Sequence, residues 1–316
     1  MDSPSDQFTT YFYYDPQGAW YPTKGHLLYE LDNVCVRIHD AFAASLFGTF
    51  GAFYDFLKVC PEFIYTAGMN SEAPIGKALF EQFISKMPEE IPVNKALYLF
   101  DCRKLVSSIQ ECSKEVIQLQ DEFYRALNMD KLFFPEIEED DGIRYVTSPA
   151  VTKIFAFLGF IFVRLHSLLD YVAKLAIESE NLRSDFEVYS RLASKKSLFS
   201  DRKRISFNEA KGTLLEACVM STEIESVRNH LIHDGLLDDT PKVYRVISSG
   251  ICIEKFILFP DMNASGRFES YKNRNLFYGN EDKINIRLPR LILEFQERLL
   301  LTLHLINDNL SKTNAS

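Results

Sequence analysis

Apolar residues fall at helical spacing along most of this chain and alternate in only one short stretch. Helical periodicity predicts elements over 27–59, 75–86 and 93–127, the last with Leu97, Leu99, Leu105, Ile109, Val116, Ile117, Leu119 and Phe123 recurring at that spacing. Ser148-Pro149 predicts a further helix start, because serine can accept from the free amides of a first turn and proline has no N–H to leave unsatisfied there. The roughly thirty residues that follow are at first apolar nearly all round (Ile154, Phe155, Phe157, Leu158, Phe160, Ile161, Phe162), and then admit Arg164, His166, Asp170 and Lys174. The first half therefore reads as core, and the second as bordering something polar.

Ser206-Phe207-Asn208-Glu209 has the pattern of a capping box and predicts the start of a second long helix, with Gly235 as its stop. Leu214, Leu215, Cys218, Val219, Ile224, Val227, Leu231 and Ile232 form its apolar stripe. After Pro241 the pattern switches to alternation in 243–247, a Ser-Ser-Gly turn, and an apolar run over 251–259, which predicts a β-hairpin. A last helix is predicted over 288–310, with Leu291, Ile292, Phe295, Leu299, Leu303 and Ile306 inward. The first 25 residues, with turn signals at Asp15-Pro16 and Gln17-Gly18, read as an irregular arm or short hairpin. The acidic run 136–141, followed by Gly142, reads as a break between an α-helical N-terminal region, 1–142, and a helical domain, 143–316. The expected fold class is mainly α, a helical bundle with a β-hairpin inserted before its last helix.

Composition narrows the function. The apolar fraction of 47% in 316 residues supplies an ample core, in one large domain or, as the break suggests, two. Met1-Asp2-Ser3-Pro4-Ser5-Asp6 has no basic-then-apolar order, and the most apolar run, 154–163, is too short to cross a bilayer, so a cytoplasmic protein without a membrane span is expected. The six cysteines form no CxxC pair and read as reduced, with no metal implied. A net charge of −9 argues against a surface that holds nucleic acid everywhere. One local exception is 191–204 (RLASKKSLFSDRKR), where Lys195, Lys196, Arg202, Lys203 and Arg204 join Arg191 against the single Asp201; it reads either as an RNA-binding patch or as a solvated connector. Phosphate-loop, dinucleotide, zincin and hydrolase-elbow signatures are absent from the sequence.

Chemistry concentrates at Arg228-Asn229-His230-Leu231-Ile232-His233-Asp234-Gly235. Residues four apart share a helix face, so Asn229 and His233 project together and the long Arg228 side chain can reach across to them. An imidazole can move protons near neutral pH, a guanidinium can grip phosphate, and an amide can orient a hydroxyl. His230 points away from that face and is expected to be a surface or packing residue, at most supporting the site. A metal site through His230, His233 and Asp234 lacks ligand spacing.

In these residues, and in the order of elements around them, the stretch from Ser148 to the C-terminus resembles the HEPN superfamily, helical domains with an arginine, a polar residue and then a histidine at the end of a long helix. Asp170-Tyr171-Val172-Ala173-Lys174 resembles the acidic-then-basic pair that the family carries on the preceding helix; the pair could equally be an exposed i,i+4 ion pair. The resemblance implies a metal-independent endoribonuclease without cofactor, acting as a homodimer in a toxin or antiviral defence setting. In it His233 would be acid or base, Arg228 the phosphate ligand, Asn229 an orienting group and Asp170 their support, with Lys174 beside it. An antitoxin or regulatory protein is an implied partner. Gly235 stands where a related system has a tyrosine modified by a nucleotidyltransferase, which argues against that mode of control here. The competing expectation is a non-catalytic helical module that dimerises or binds a nucleotide or protein partner.

Overall fold

The computed structural model describes residues 12–14, 20–22, 26–132, 139–189 and 191–313. In chain order the elements are β1 (Phe12–Tyr14), β2 (Trp20–Pro22), α1 (Leu27–Phe47), α2 (Phe50–Val59), α3 (Phe63–Thr66), α4 (Lys77–Ile84), α5 (Val93–Asn128), β3 (Gly142–Val146), α6 (Pro149–Glu180), α7 (Val219–His233), β4 (Val243–Ser248), β5 (Ile251–Phe256) and α8 (Ile284–Thr313). Short 3₁₀ helices occupy Ala193–Lys196 and Phe199–Arg204. The fold is mainly α, with a three-stranded antiparallel sheet in the order β3-β4-β5. The turn signals at 15–18 and residues 136–138 of the acidic run lie outside the described residues; β1 and β2 pair antiparallel on either side of the former.

The chain forms two compact units. One comprises Met1–Glu111, Asp170–Leu215 and Leu299–Ser316, the other Cys112–Leu169 and Glu216–Arg298. Both draw on residues before and after 142, because α5, α6 and α8 each contribute to both.

In the first unit, the predicted helical stretch 27–59 breaks at Gly48, whose φ of 81° suits glycine, and restarts where Thr49 Oγ1 accepts from Ala52 N at 3.0 Å. The capping box expected at 206–209 does not form. Ser206 N and Oγ instead donate to Glu180 Oε1, at 2.7 and 2.5 Å, and Glu209 sits at φ 68°, outside the helical region. Residues 205–218 are turns, and the helix begins only at Val219. Leu214 is buried all the same, with its N–H donated to Thr302 Oγ1 at 2.8 Å.

In the second unit α6 starts as predicted, with Ser148 Oγ accepting from Val151 N at 3.2 Å. The helix is long and apolar enough to span a bilayer. Its Val151, Ile154, Leu158, Ile161, Phe162 and Leu165 are nevertheless fully buried, as in a core helix. The expectation of core all round is too broad, since Phe160 is 44% exposed and is covered by the Arg164 guanidinium, 4.8 Å from its ring centre. Arg164 is held in turn by Glu115 at 2.7 Å.

The hairpin forms with Ser249 and Gly250 at its tip, both at positive φ, the two-residue turn that matches strand twist. The described end of the acidic run serves the sheet. Glu139 pairs with the buried Arg245 of β4 at 2.5 Å, and Asp141 Oδ1 accepts from Gly250 N at 3.1 Å, so its carboxyl is held below its ordinary value by the backbone amides of the turn. Pro289 lies inside α8, where its missing N–H leaves the Asn285 carbonyl without a helical partner. Tyr124 OH of α5 donates to that carbonyl at 2.5 Å, and burial pushes the phenol up to about 12. All six residues expected to face inward on α8 are buried.

The loop from 257 to 283 lies against the start of α7. Gly266, at φ 81°, comes so close that a Cβ there would stand 2.5 Å from the Val219 carbonyl oxygen and 3.1 Å from Glu223 N. Asp261 organises the same loop, its carboxylate accepting from Gly279 N at 2.8 Å and Asn280 N at 3.0 Å. Gly266→Ala combines a disfavoured φ with a backbone clash, and should destabilise the protein by about 2 kcal/mol or more in urea unfolding; an unchanged midpoint would show that the loop does not press on α7.

Candidate functional site

α7 is amphipathic. Met220, Glu223, Ile224, Val227 and His230 recur three or four residues apart and are buried. Charge is admitted to this stripe only with a partner: Glu223, 8% exposed, pairs with Arg287, which also holds Asp282 at 2.7 Å and lies over the Phe259 ring. Burial raises the Glu223 carboxyl above its ordinary value despite the opposing pull of Arg287.

The last turn separates the two histidines. His230 is 5% exposed, with Nε2 at 2.9 Å from the Leu236 carbonyl oxygen, Nδ1 at 3.2 Å from Asn275 Nδ2, and the Phe268 ring edge-on to the imidazole. It ties the end of α7 to the chain beyond it and to the 257–283 loop. Gly235, at φ 128°, turns the chain out of the helix, and Asp234 N and Gly235 N both donate to the His230 carbonyl. His233, by contrast, is exposed and makes no hydrogen bond or ion pair among the described residues.

Arg228 and Asn229 are half-buried on the outward side, and Arg228 Nη1 donates to Asn229 Oδ1 at 2.9 Å. That bond orients both groups and leaves the Asn229 amide hydrogens and the remaining guanidinium hydrogens able to donate elsewhere. Asn229 and His233 share a face by the four-residue repeat.

The other predicted residues belong to the first unit. Asp170 Oδ1 accepts from Phe199 N at 2.7 Å, at the start of the second 3₁₀ helix. It is one of three acids on α6 with that role. Glu178, fully buried, accepts from Ser194 N at 2.7 Å and from Tyr98 OH at 2.9 Å, and Glu180 accepts from Ser206 N. Lys174 lies half-buried between them and makes no ion pair among the described residues, so the expected i,i+4 pair with Asp170 is not formed.

The acids therefore grip the backbone of the basic connector, and its cationic side chains are left outside. Lys195, Lys196, Lys203 and Arg204 are exposed. Arg202 is the exception within the patch, half-buried over the Phe199 ring at 4.0 Å and donating to the Phe199 carbonyl at 3.1 Å. Arg204 lies 3.5 Å from Asp201. The grip of Glu178 and Glu180 was not anticipated, and no local pattern announces it, because their partners lie 16 and 26 residues away.

A cavity of about 600 Å³ lies away from this helix end. It lies at the N-terminal end of α7, lined by Glu216, Glu223, Arg287, Arg290, Glu294 and Arg298, where Arg298 pairs with Glu294 at 3.0 Å and with Glu216 at 3.5 Å. Most of its charges answer one another. Among the described residues no group of three or more His, Cys, Asp or Glu side chains is placed to hold a metal ion. No family model, curated protein or solved structure matches this chain.

The two histidines should respond in opposite ways to truncation. His230→Ala removes a buried ring with its packing and two hydrogen bonds and should lower stability by about 1–3 kcal/mol, whereas His233→Ala should stay within about 0.5 kcal/mol of the wild type. Urea titration of both variants checks this, and equal losses would contradict the assignment.

Proposed function

We propose that this protein is an HEPN-type endoribonuclease that cleaves RNA without a metal. The observation that carries the reading is the last turn of α7, where Arg228 and Asn229 orient each other and His233 is exposed and without a partner, while the neighbouring His230 is occupied in packing. RNA carries its own nucleophile, the ribose 2′-OH. His233 would take that proton or supply one to the leaving 5′ oxygen, and Arg228 would bind the phosphate as charge builds on its oxygens. The Asn229 amide would position the phosphate or a hydroxyl.

A homodimer fits this reading. Ile232 and Leu236, 52% and 58% exposed, flank His233, and their burial against a second copy would bring two sets of Arg228 and His233 side chains together. Lys195, Lys196, Lys203 and Arg204 would guide RNA in a chain whose net charge otherwise repels it. Asp170 would hold the backbone of the connector that carries these cations. The second reading, a non-catalytic helical module that dimerises through the same surface, is favoured by the same two apolar residues and needs no cleavage.

The purified protein should cut single-stranded RNA in the presence of EDTA, and His233→Ala should lower the rate by about a hundredfold or more. Failure to cut any RNA, or full activity in the variant, would overturn the proposal. Charge reversal at Lys196, Lys203 and Arg204 should weaken RNA binding at low salt and flatten its salt dependence; unchanged binding would place the RNA contact elsewhere.

A further inference from the structure

A second cavity, of about 500 Å³, lies wholly within the first unit, walled by α5, α6, Tyr189 and residues 191–195. Four cations line it: Lys104, Lys174, Arg191 and Lys195. None of the four side chains makes a hydrogen bond or ion pair among the described residues. The single carboxylate on the wall, Asp101, accepts from Tyr189 OH, and burial together with this bond raises the Tyr189 phenol above its ordinary value, so that it keeps its proton. In a chain of net charge −9, this is a concentrated and unanswered positive site.

We infer that this cavity binds a small ligand carrying two or more phosphate groups. Three properties select that class. The cations can neutralise several negative charges, the volume falls within the range of small-molecule sites, and the faces of Leu105, Leu192 and Tyr189 offer apolar surface for the rest of a nucleotide-sized molecule. An RNA backbone fits less well, because these cations surround a concavity, whereas Lys196, Lys203 and Arg204, which would serve an extended polyanion, are not among the residues that line it. The site uses none of Arg228, Asn229 or His233, and shares only Lys195 with the surface proposed to guide RNA.

Calorimetric titration of the full chain at low salt with ADP and with inorganic pyrophosphate tests the inference. Both should bind at one per chain, and adenosine should bind at least about tenfold more weakly than ADP. Lys104→Glu combined with Lys174→Glu should weaken ADP by about tenfold or more. Lys86→Glu combined with Lys77→Glu, an equal charge change on the exposed surface outside the cavity, should leave ADP binding unchanged; thermal unfolding confirms that each variant is folded. The inference is overturned if ADP and pyrophosphate do not bind, if the double variant binds them as well as the wild type, or if only an RNA oligonucleotide responds to it.

Discussion

Everything proposed for α7 depends on its inner side being held along its length. A fifteen-residue helix is marginal alone, and its last turn is where fraying would begin. Here Glu223 is tied to Arg287 near one end, the Gly266 backbone presses on the same turns, and His230 is fixed at the other end by the Leu236 carbonyl and Asn275. A frayed last turn would scatter Arg228, Asn229 and His233. A fixed one presents them at defined positions, which is what proton transfer and phosphate binding require.

A second constraint acts on charge. Acids outnumber bases in the chain, and three of those acids, Asp170, Glu178 and Glu180, accept backbone N–H groups from the 194–206 segment. Carboxylates used in this way anchor the connector without neutralising it. The lysines and arginines that would otherwise form ordinary surface ion pairs thus stay available, some on the exposed connector and some around the cavity that also contains Lys104. One arrangement of α6 accordingly underlies both the proposed RNA contact and the proposed phosphate site.

Much of the fold was legible in the residues. The spans of α5, α6 and α8 follow from apolar spacing, and the hairpin from alternation around Ser249-Gly250, because in each case local propensity and packing agree. Where a distant partner decides, the local pattern misleads. Ser206 and Glu209 have the letters of a capping box, but Ser206 is engaged by Glu180 and the helix starts later. Pro289 should end a helix, yet Tyr124 satisfies the carbonyl that it frees. Strand β3, which directly follows the acidic run, was hidden because its pairing with β4 spans about a hundred residues. At the candidate site, Gly235 follows the end of α7 as the helix pattern suggests, and His230 is buried in packing. The bond from Asp170 to Phe199 and the cavity at Lys104 could not be read without the fold.

The central claim is that the end of α7 directs a ribose 2′-OH onto its own phosphate. The ends of the RNA fragments test this most directly, because each route of cleavage leaves its own chemistry. Incubation with the wild-type protein in EDTA should give fragments ending in 2′,3′-cyclic phosphate, or its opened 3′-phosphate, paired with 5′-hydroxyl, as resolved by mass spectrometry. Fragments with 3′-hydroxyl and 5′-phosphate would mean that water or another nucleophile attacks, and would contradict the account.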